Sequence, residues 1–413
     1  MPLEKINRPV PGIRNFFADI SSTHLANGFI AFLFSASAPV AIVLGVGAKG
    51  GLTEQELASW MFGGLAFNGL VSIFVTIVYR QPLVFFWTIS GSVLVGPAFG
   101  HLTFPEIIGA FYATGLLLLI LGLTGSVGWI MRHLPMPIIM GMVAGVFLQF
   151  GIDWIVALKN DFWIAFPMTA AFFLFSFHPA VARRMPPMIG VLVIGVIAVV
   201  LQGSFNPAGK EIALNMVEPI IFTPVFSWQA MIELVVPISI TVLAAQNAQG
   251  IGILKANGHN PPVNTITTTC GGMSIVCAAV GTVSTCLTGP VNAILSSGGT
   301  KESQYSAAIF ICLLAILFGL YSPVLTKSML AAPPAFIATL AGLALFRVLQ
   351  NSFVASFQRS FTLGALTAFL VTVSDLTLFN IGSPFWGLLF GFITSWILER
   401  TDFRTLEGQS KNQ

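Results

Sequence analysis

Apolar runs of about 20 residues recur along almost the whole chain, and that recurrence constrains the fold more than any motif does. Such a run crosses a lipid core as a helix, because lipid offers the backbone N–H and C=O groups no partner. Only 8% of the 413 residues are charged, where soluble domains carry about a quarter, and mean hydropathy is +0.89. The chain is therefore expected to be an all-α integral membrane protein. Fourteen segments are read, near 24–47, 54–79, 82–99, 104–123, 135–157, 161–180 and 186–203, then 228–254, 261–281, 283–298, 304–322, 332–350, 360–379 and 383–398.

The two groups of seven repeat each other. "PVAIVLG" (39–45) aligns with "PISITVL" (237–243) at an offset of 198, and "PIIMGMVAGVFL" (137–148) with "PAFIATLAGLAL" (334–345) at 197. "PMIGVLVIG" (187–195) and "PFWGLLFGF" (384–392) keep the offset of 197. Seven is odd, so successive copies enter the membrane in opposite senses, as two inverted seven-segment repeats. Charge tests this independently. With the N-terminus inside, 14 of the 18 Lys and Arg fall on the inner side, leaving Lys49, Lys159, Lys210 and Lys327 outside.

Segments three and ten carry matching interruptions. "FFWTISGSVLVG" (85–96) and "TCLTGPVNAILSSG" (285–298) break apolar runs with small residues, again at offset 198. Sixteen residues of straight helix reach roughly 24 Å, short of the roughly 30 Å hydrocarbon core. Half strand and half helix reach roughly 38 Å. The β-branched and aromatic stretches 82–87 and 282–287 suit strands, and Thr88, Ser90 and Thr288 stand where helix N-caps belong. Each segment is expected to be a short strand followed by a half-helix. The two helix N-termini then meet near the bilayer centre, each with free N–H groups and roughly half a positive charge. Facing one cavity, they make a site for a small anion at Ser90–Gly91 and Thr288–Gly289. Phe86 or Trp87 forms an aromatic wall, with Leu287 and, from segment one just before Pro39, Ser35 and Ser37 alongside.

Segment eight adds Gln246, Asn247 and Gln249 within one turn, and uncharged amides at membrane depth mark a lined cavity or a helix contact. Glu106, Asp153, Glu233 and Asp375 sit near outer segment ends, where capping or solvated roles are expected. Asp153, Glu233 and Asp375 are kept as proton-coupling candidates. The four cysteines read as small packing residues, and the five histidines share no metal-ligand spacing. "GVGAKG" (45–50) fits G-x-G-x-x-G but has no strand before it, and no Walker A, G-x-S-x-G or H-E-x-x-H motif is present. No catalytic site, cofactor or metal is expected, and a net charge of +3 gives no case for nucleic acid. The polar, proline-bearing N-terminus carries no visible cleavable signal.

"AQNAQGIGILKANGHNPP" (245–262), "AFLVTVSDLTLFNIGSPFWGLL" (368–389) and the Trp-bearing "WTISG" resemble the benzoate/proton symporter (BenE-type) family. The resemblance implies the 7+7 inverted-repeat architecture of nucleobase and sulfate transporters. It divides the chain into a cytoplasmic N-terminal segment 1–23, core halves 24–123 and 227–322, gate halves 124–203 and 323–398, an outer loop 204–226 and a cytoplasmic tail 399–413. It further implies secondary active import of benzoate or a related aromatic carboxylate with a proton, across a bacterial-type inner membrane, with both termini cytoplasmic and a homodimer formed through the gate. Nucleobase members hold a neutral base with acidic residues, where this chain has Gln246 or Asn247 and Pro290; that departure suits a substrate bearing its own negative charge. An inorganic-anion transporter and an uncoupled anion channel remain alternatives.

Overall fold

The structure is a computed structural model and describes residues 3–6, 11–36, 38–133, 135–177, 187–206, 214–358 and 360–403. Among these, six helices are long and apolar enough to cross a membrane: Ser22–Lys49, Glu54–Tyr79, Phe104–Thr124, Met136–Asn160, Trp228–Ala256 and Pro334–Phe357. Gln304–Leu320 and Ser322–Leu330 add a seventh if taken as one span bent by 70°. Ile89–Ala98, Phe162–Phe177, Pro187–Leu201, Thr362–Val373 and Ser383–Leu398 are apolar but shorter. The apolar pattern predicts only a connection over 323–331; the structure makes Ser322–Leu330 a helix, with Pro323 in its first turn, where a missing N–H is harmless.

Local chemistry sets the helix ends. Thr53 with Glu56, and Thr103 with Glu106, form capping boxes that occupy the first free N–H groups. Glu106 thus has the capping role expected of it. Two long helices are widened by π-turns, at Gly63–Phe67 in the first and at Met231–Val235 and Thr241–Asn247 in the second. Each such turn inserts an extra residue and so rotates the next stretch of helix about its axis. One of them carries Gln246 and Asn247, another Glu233.

Helices pack closely where side chains are absent. Phe104–Thr124 lies along Val263–Ala278, and a Cβ added at Gly271 would run into the Leu119 backbone. Met136–Asn160, Pro334–Phe357, Thr362–Val373 and Ser383–Leu398 pack on one another as a second group.

Between the long helices of the first group lies a two-stranded antiparallel ribbon. β1 is Phe85–Trp87 and β2 is Thr285–Leu287, paired Phe85↔Leu287, Phe86↔Cys286 and Trp87↔Thr285. The ladder continues symmetrically beyond both strands, with Thr88 N donating to Ser284 O (2.8 Å) and Thr288 N to Val84 O (3.1 Å). Helices Ile89–Ala98 and Gly289–Leu295 come directly after the strands. Thr88 and Thr288 are therefore the equivalent positions, 200 residues apart. The small-residue patterns align Thr88 with Cys286 instead; the backbone ladder, which sequence does not display, corrects the register by two.

Candidate functional site at the paired turns

A two-stranded ribbon exposes two edges, and lipid satisfies neither. Side chains from neighbouring helices do so here. Ser72 Oγ accepts from Phe85 N at 2.8 Å, and Ser274 Oγ accepts from Thr285 N at 2.9 Å, so the first residue of each strand is held alike. Asn292 Oδ1 accepts from Val84 N (3.0 Å), and Asn247 Oδ1 accepts from Leu287 N (2.8 Å). Thr285 Oγ1 donates to Asn68 Oδ1 at 2.8 Å. The ribbon is thus fixed by groups that are themselves buried.

The two amides of segment eight have separate surroundings. Asn247 is buried, its Oδ1 taken by the β2 edge and its Nδ2 placed 3.5 Å from Cys270 Sγ. Gln246 reaches across both turns. Its Nε2 donates to Ser90 Oγ (3.3 Å) and Thr88 Oγ1 (3.5 Å), and its Oε1 accepts from Cys286 Sγ (3.4 Å). Gln249 is pressed against Gly289, where an added Cβ would stand 2.7 Å from Gln249 Oε1.

A cavity of about 40 Å³ opens beside the turns, with Phe86, Trp87, Gln246 and Thr288 among the lining side chains. Ser35 and Pro39 close it from the first long helix, and Ile89, Pro290 and Val291 from the two short ones. Trp87 is 2% exposed, and its indole Nε1–H has no partner. An unpaired buried donor forfeits about 1–3 kcal/mol, which this arrangement leaves unrecovered.

Five residues expected at a site therefore line this cavity: Ser35, Phe86, Trp87, Gln246 and Thr288. Ser90 adjoins it through Gln246, and Thr88 caps its helix by accepting from Gly91 N at 3.1 Å. Gly91 packs beneath that cap, while Leu287 is wholly buried in the ribbon. Ser37 lies outside the described residues. Phe34, Pro39, Ile89 and Val291 were not anticipated, since nothing separates a cavity-facing apolar residue from a packing one in an apolar chain.

Of the acidic candidates, Asp375 lines a second and larger cavity of about 350 Å³ between the two helix groups, while Asp153 and Glu233 adjoin it through Lys49 and His101. Lys49 pairs with Asp153 at 2.8 Å, joining helix Ala38–Lys49 to Met136–Asn160. Asp375 is exposed, with a φ of 50°. Glu233 departs from the solvated role expected of it. It is 1% exposed, with Oε2 2.7 Å from His101 Nε2 and Oε1 unpartnered.

Comparison with known proteins comes down on one family. The profile described as "Benzoate membrane transport protein" matches residues 18–397. The inner membrane protein YdcO of Escherichia coli (strain K12) is 31% identical over 379 residues, covering 91% of this chain and 95% of that protein. The benzoate membrane transport protein of Acinetobacter baylyi is 27% identical over 379 residues, covering 90% and 94%. Among solved structures, the transmembrane domain of a cyanobacterium bicarbonate transporter, BicA, superposes with a TM-score of 0.58 at 14% identity, over 90% of this chain and 98% of that one. That last likeness is one of fold.

Proposed function

The chain belongs to the benzoate membrane transport protein family, a family of membrane transporters and not of enzymes, and from that premise we propose that it imports benzoate or a related small aromatic carboxylate together with a proton. The cavity at the paired turns is the observation that carries this reading. It combines an aromatic wall (Phe86, Trp87), an unpartnered Trp87 N–H and the polar groups of Gln246 and Thr288. The helix ends beyond Thr88 and Thr288 add partial positive charge. The ring lies against Phe86 and Trp87; the carboxylate takes donors from Trp87 Nε1, Gln246 Nε2 and the helix ends at Ser90–Gly91 and Thr288–Gly289. Asn247, Gly91 and Leu287 hold the ribbon that aims these groups.

At about 40 Å³ the cavity has room for about three waters, less than a benzoate ring needs. Binding therefore goes with a widening of this cavity. In the proposed cycle, fourteen segments form two inverted repeats, with segments three and ten broken at the turns. The core, 24–123 and 227–322, moves against the gate, 124–203 and 323–398. Both termini are cytoplasmic, and gate helices join two copies in the inner membrane.

The test is uptake of labelled benzoate into proteoliposomes under an imposed pH gradient. Accumulation above the equilibrium level, abolished by a protonophore and competed by other aromatic acids, supports the reading. Uptake of bicarbonate or sulfate in place of benzoate, or benzoate flux that only equilibrates, contradicts it.

A further inference from the structure

The buried Glu233 carboxylate has no role in the site above, and its surroundings are those of a switch. Its Oε2 meets His101 Nε2 at 2.7 Å, an ion pair or its neutral equivalent according to where one proton sits. Its Oε1 has no donor and lies against Gly382, so closely that a Cβ there would collide with it. Gly382 is the N-cap of helix Ser383–Leu398, a member of the second helix group, and that cap carries no side-chain hydrogen bond. His101 and Gly382 both line the 350 Å³ cavity, so water and protons reach the pair from there. By the charge asymmetry, this cavity is on the outer side.

We propose that the His101–Glu233 pair is an external proton-binding site, and that its protonation releases helix Ser383–Leu398 from the core and opens the outer cleft. This rests on the transporter reading but concerns how the cleft is controlled, not what is carried. An ionised Oε1 facing a helix N-terminus is favoured by the partial charge of that end, which holds the two groups together while Glu233 is deprotonated. A proton taken from the outer cleft onto the Glu233 carboxylate removes its negative charge, and with it the attraction to the helix end. The charged neighbours are few. Phe104–Thr124, which packs on this turn, contributes Glu106 and Tyr112, with Glu106 engaged by Thr103. Asp375 and Lys49 line the cavity, Lys49 already paired with Asp153. Ile89–Ala98, Val236–Ile240 and Ser383–Leu398 carry no titratable side chain.

Two measurements test it. In pH-difference infrared spectra of the purified protein, acidification should produce a protonated-carboxyl C=O band that is missing in Glu233→Gln and retained in Asp375→Asn. In equilibrium exchange of labelled benzoate, with the same pH on both sides, the wild-type rate should rise several-fold on acidification. Glu233→Gln should hold the fast rate at every pH. A band that survives in Glu233→Gln overturns the proton site, and a lost band with an unchanged exchange profile overturns the release of the helix. If even the wild type exchanges no benzoate, the transport reading fails, while the infrared band still decides the proton site.

Discussion

The two strand-to-helix turns share a backbone and differ in what their threonines do. Thr88 bends its hydroxyl back to cap its own helix at Gly91 N, whereas Thr288 sends its hydroxyl across the ribbon to Val84 O at 2.9 Å. Val84 O already accepts from Thr288 N and from Asn292 Nδ2. The first turn is thus closed on itself, and the second is tied to its partner strand. Helix Ile89–Ala98 runs ten residues from its cap, while Gly289–Leu295 runs seven and has Pro290 in its first turn. A symmetric scaffold has been given two unlike ends, and an asymmetric ligand with a ring at one side and a charge at the other needs that.

The largest expected effect comes from reversing the charge at the first turn. A carboxylate at Ser90→Asp, about 5 Å from a bound anion at an effective dielectric of about 20, costs on the order of 3 kcal/mol, or roughly a hundredfold in affinity. Ser90→Asn keeps the size without the charge and should lose much less, as isothermal titration of the two variants will read out. Equal binding by both would mean that the first turn does not face the anion.

Trp87→Phe comes next. It preserves a ring but removes the unpartnered N–H together with the pyrrole part of the indole, so benzoate affinity should fall by about tenfold or more, a lost hydrogen bond to a charged group accounting for the first tenfold. Thermal stability should fall modestly, because Trp87 is 2% exposed and the smaller ring leaves a void that loss of an unsatisfied donor only partly offsets. A variant that binds as tightly as wild type would remove Trp87 Nε1 from the carboxylate's partners.

The threonines themselves sharpen the comparison through stability. Thr88→Val should cost about 1–2 kcal/mol, since Gly91 N is left buried without its cap. Thr288→Val should cost below about 1 kcal/mol, because Val84 O keeps two other donors. Thermal unfolding in detergent measures both, and the reverse order would show that the caps have been misassigned.

The smallest effect lies at Glu399, just beyond helix Ser383–Leu398. Burial pushes the Glu399 carboxyl up, but hydrogen bonds from Ser395 Oγ, Leu363 N and Gly364 N outweigh it and hold it below the usual carboxylate range. A carboxyl whose folded value is depressed stabilises above its unfolded value, about 4.3, and that stability is lost as pH falls through the folded value. The melting advantage of wild type over Glu399→Gln should therefore be full at neutral pH and vanish in acid. An advantage that grows on acidification would contradict the assignment.

Much of the site is legible in the sequence. Both turns are marked by small residues breaking apolar runs, with β-branched and aromatic residues ahead of them and threonine where a cap belongs. What sequence withholds is relation across distance. The register of β1 on β2 depends on pairing between residues far apart in the chain, such as Phe86 and Cys286, and the small-residue pattern misplaces it by two. Gln246 and Asn247 are chemically alike neighbours, and only the π-turn Thr241–Asn247 decides which of them meets the cavity. Glu233 reads as an outer-end residue until His101, 132 positions earlier in the chain, is found against it. The apolar lining residues carry no signal at all.

The most direct measurement is to locate the ligand itself. Purified protein bound to 4-bromobenzoate, imaged by X-ray diffraction at the bromine absorption edge, should show the halogen against Phe86 and Trp87, with carboxylate density between Gln246 and the two helix ends. Bromine found only in the larger cavity beside Lys49 and His101, with the paired turns empty, would contradict the account.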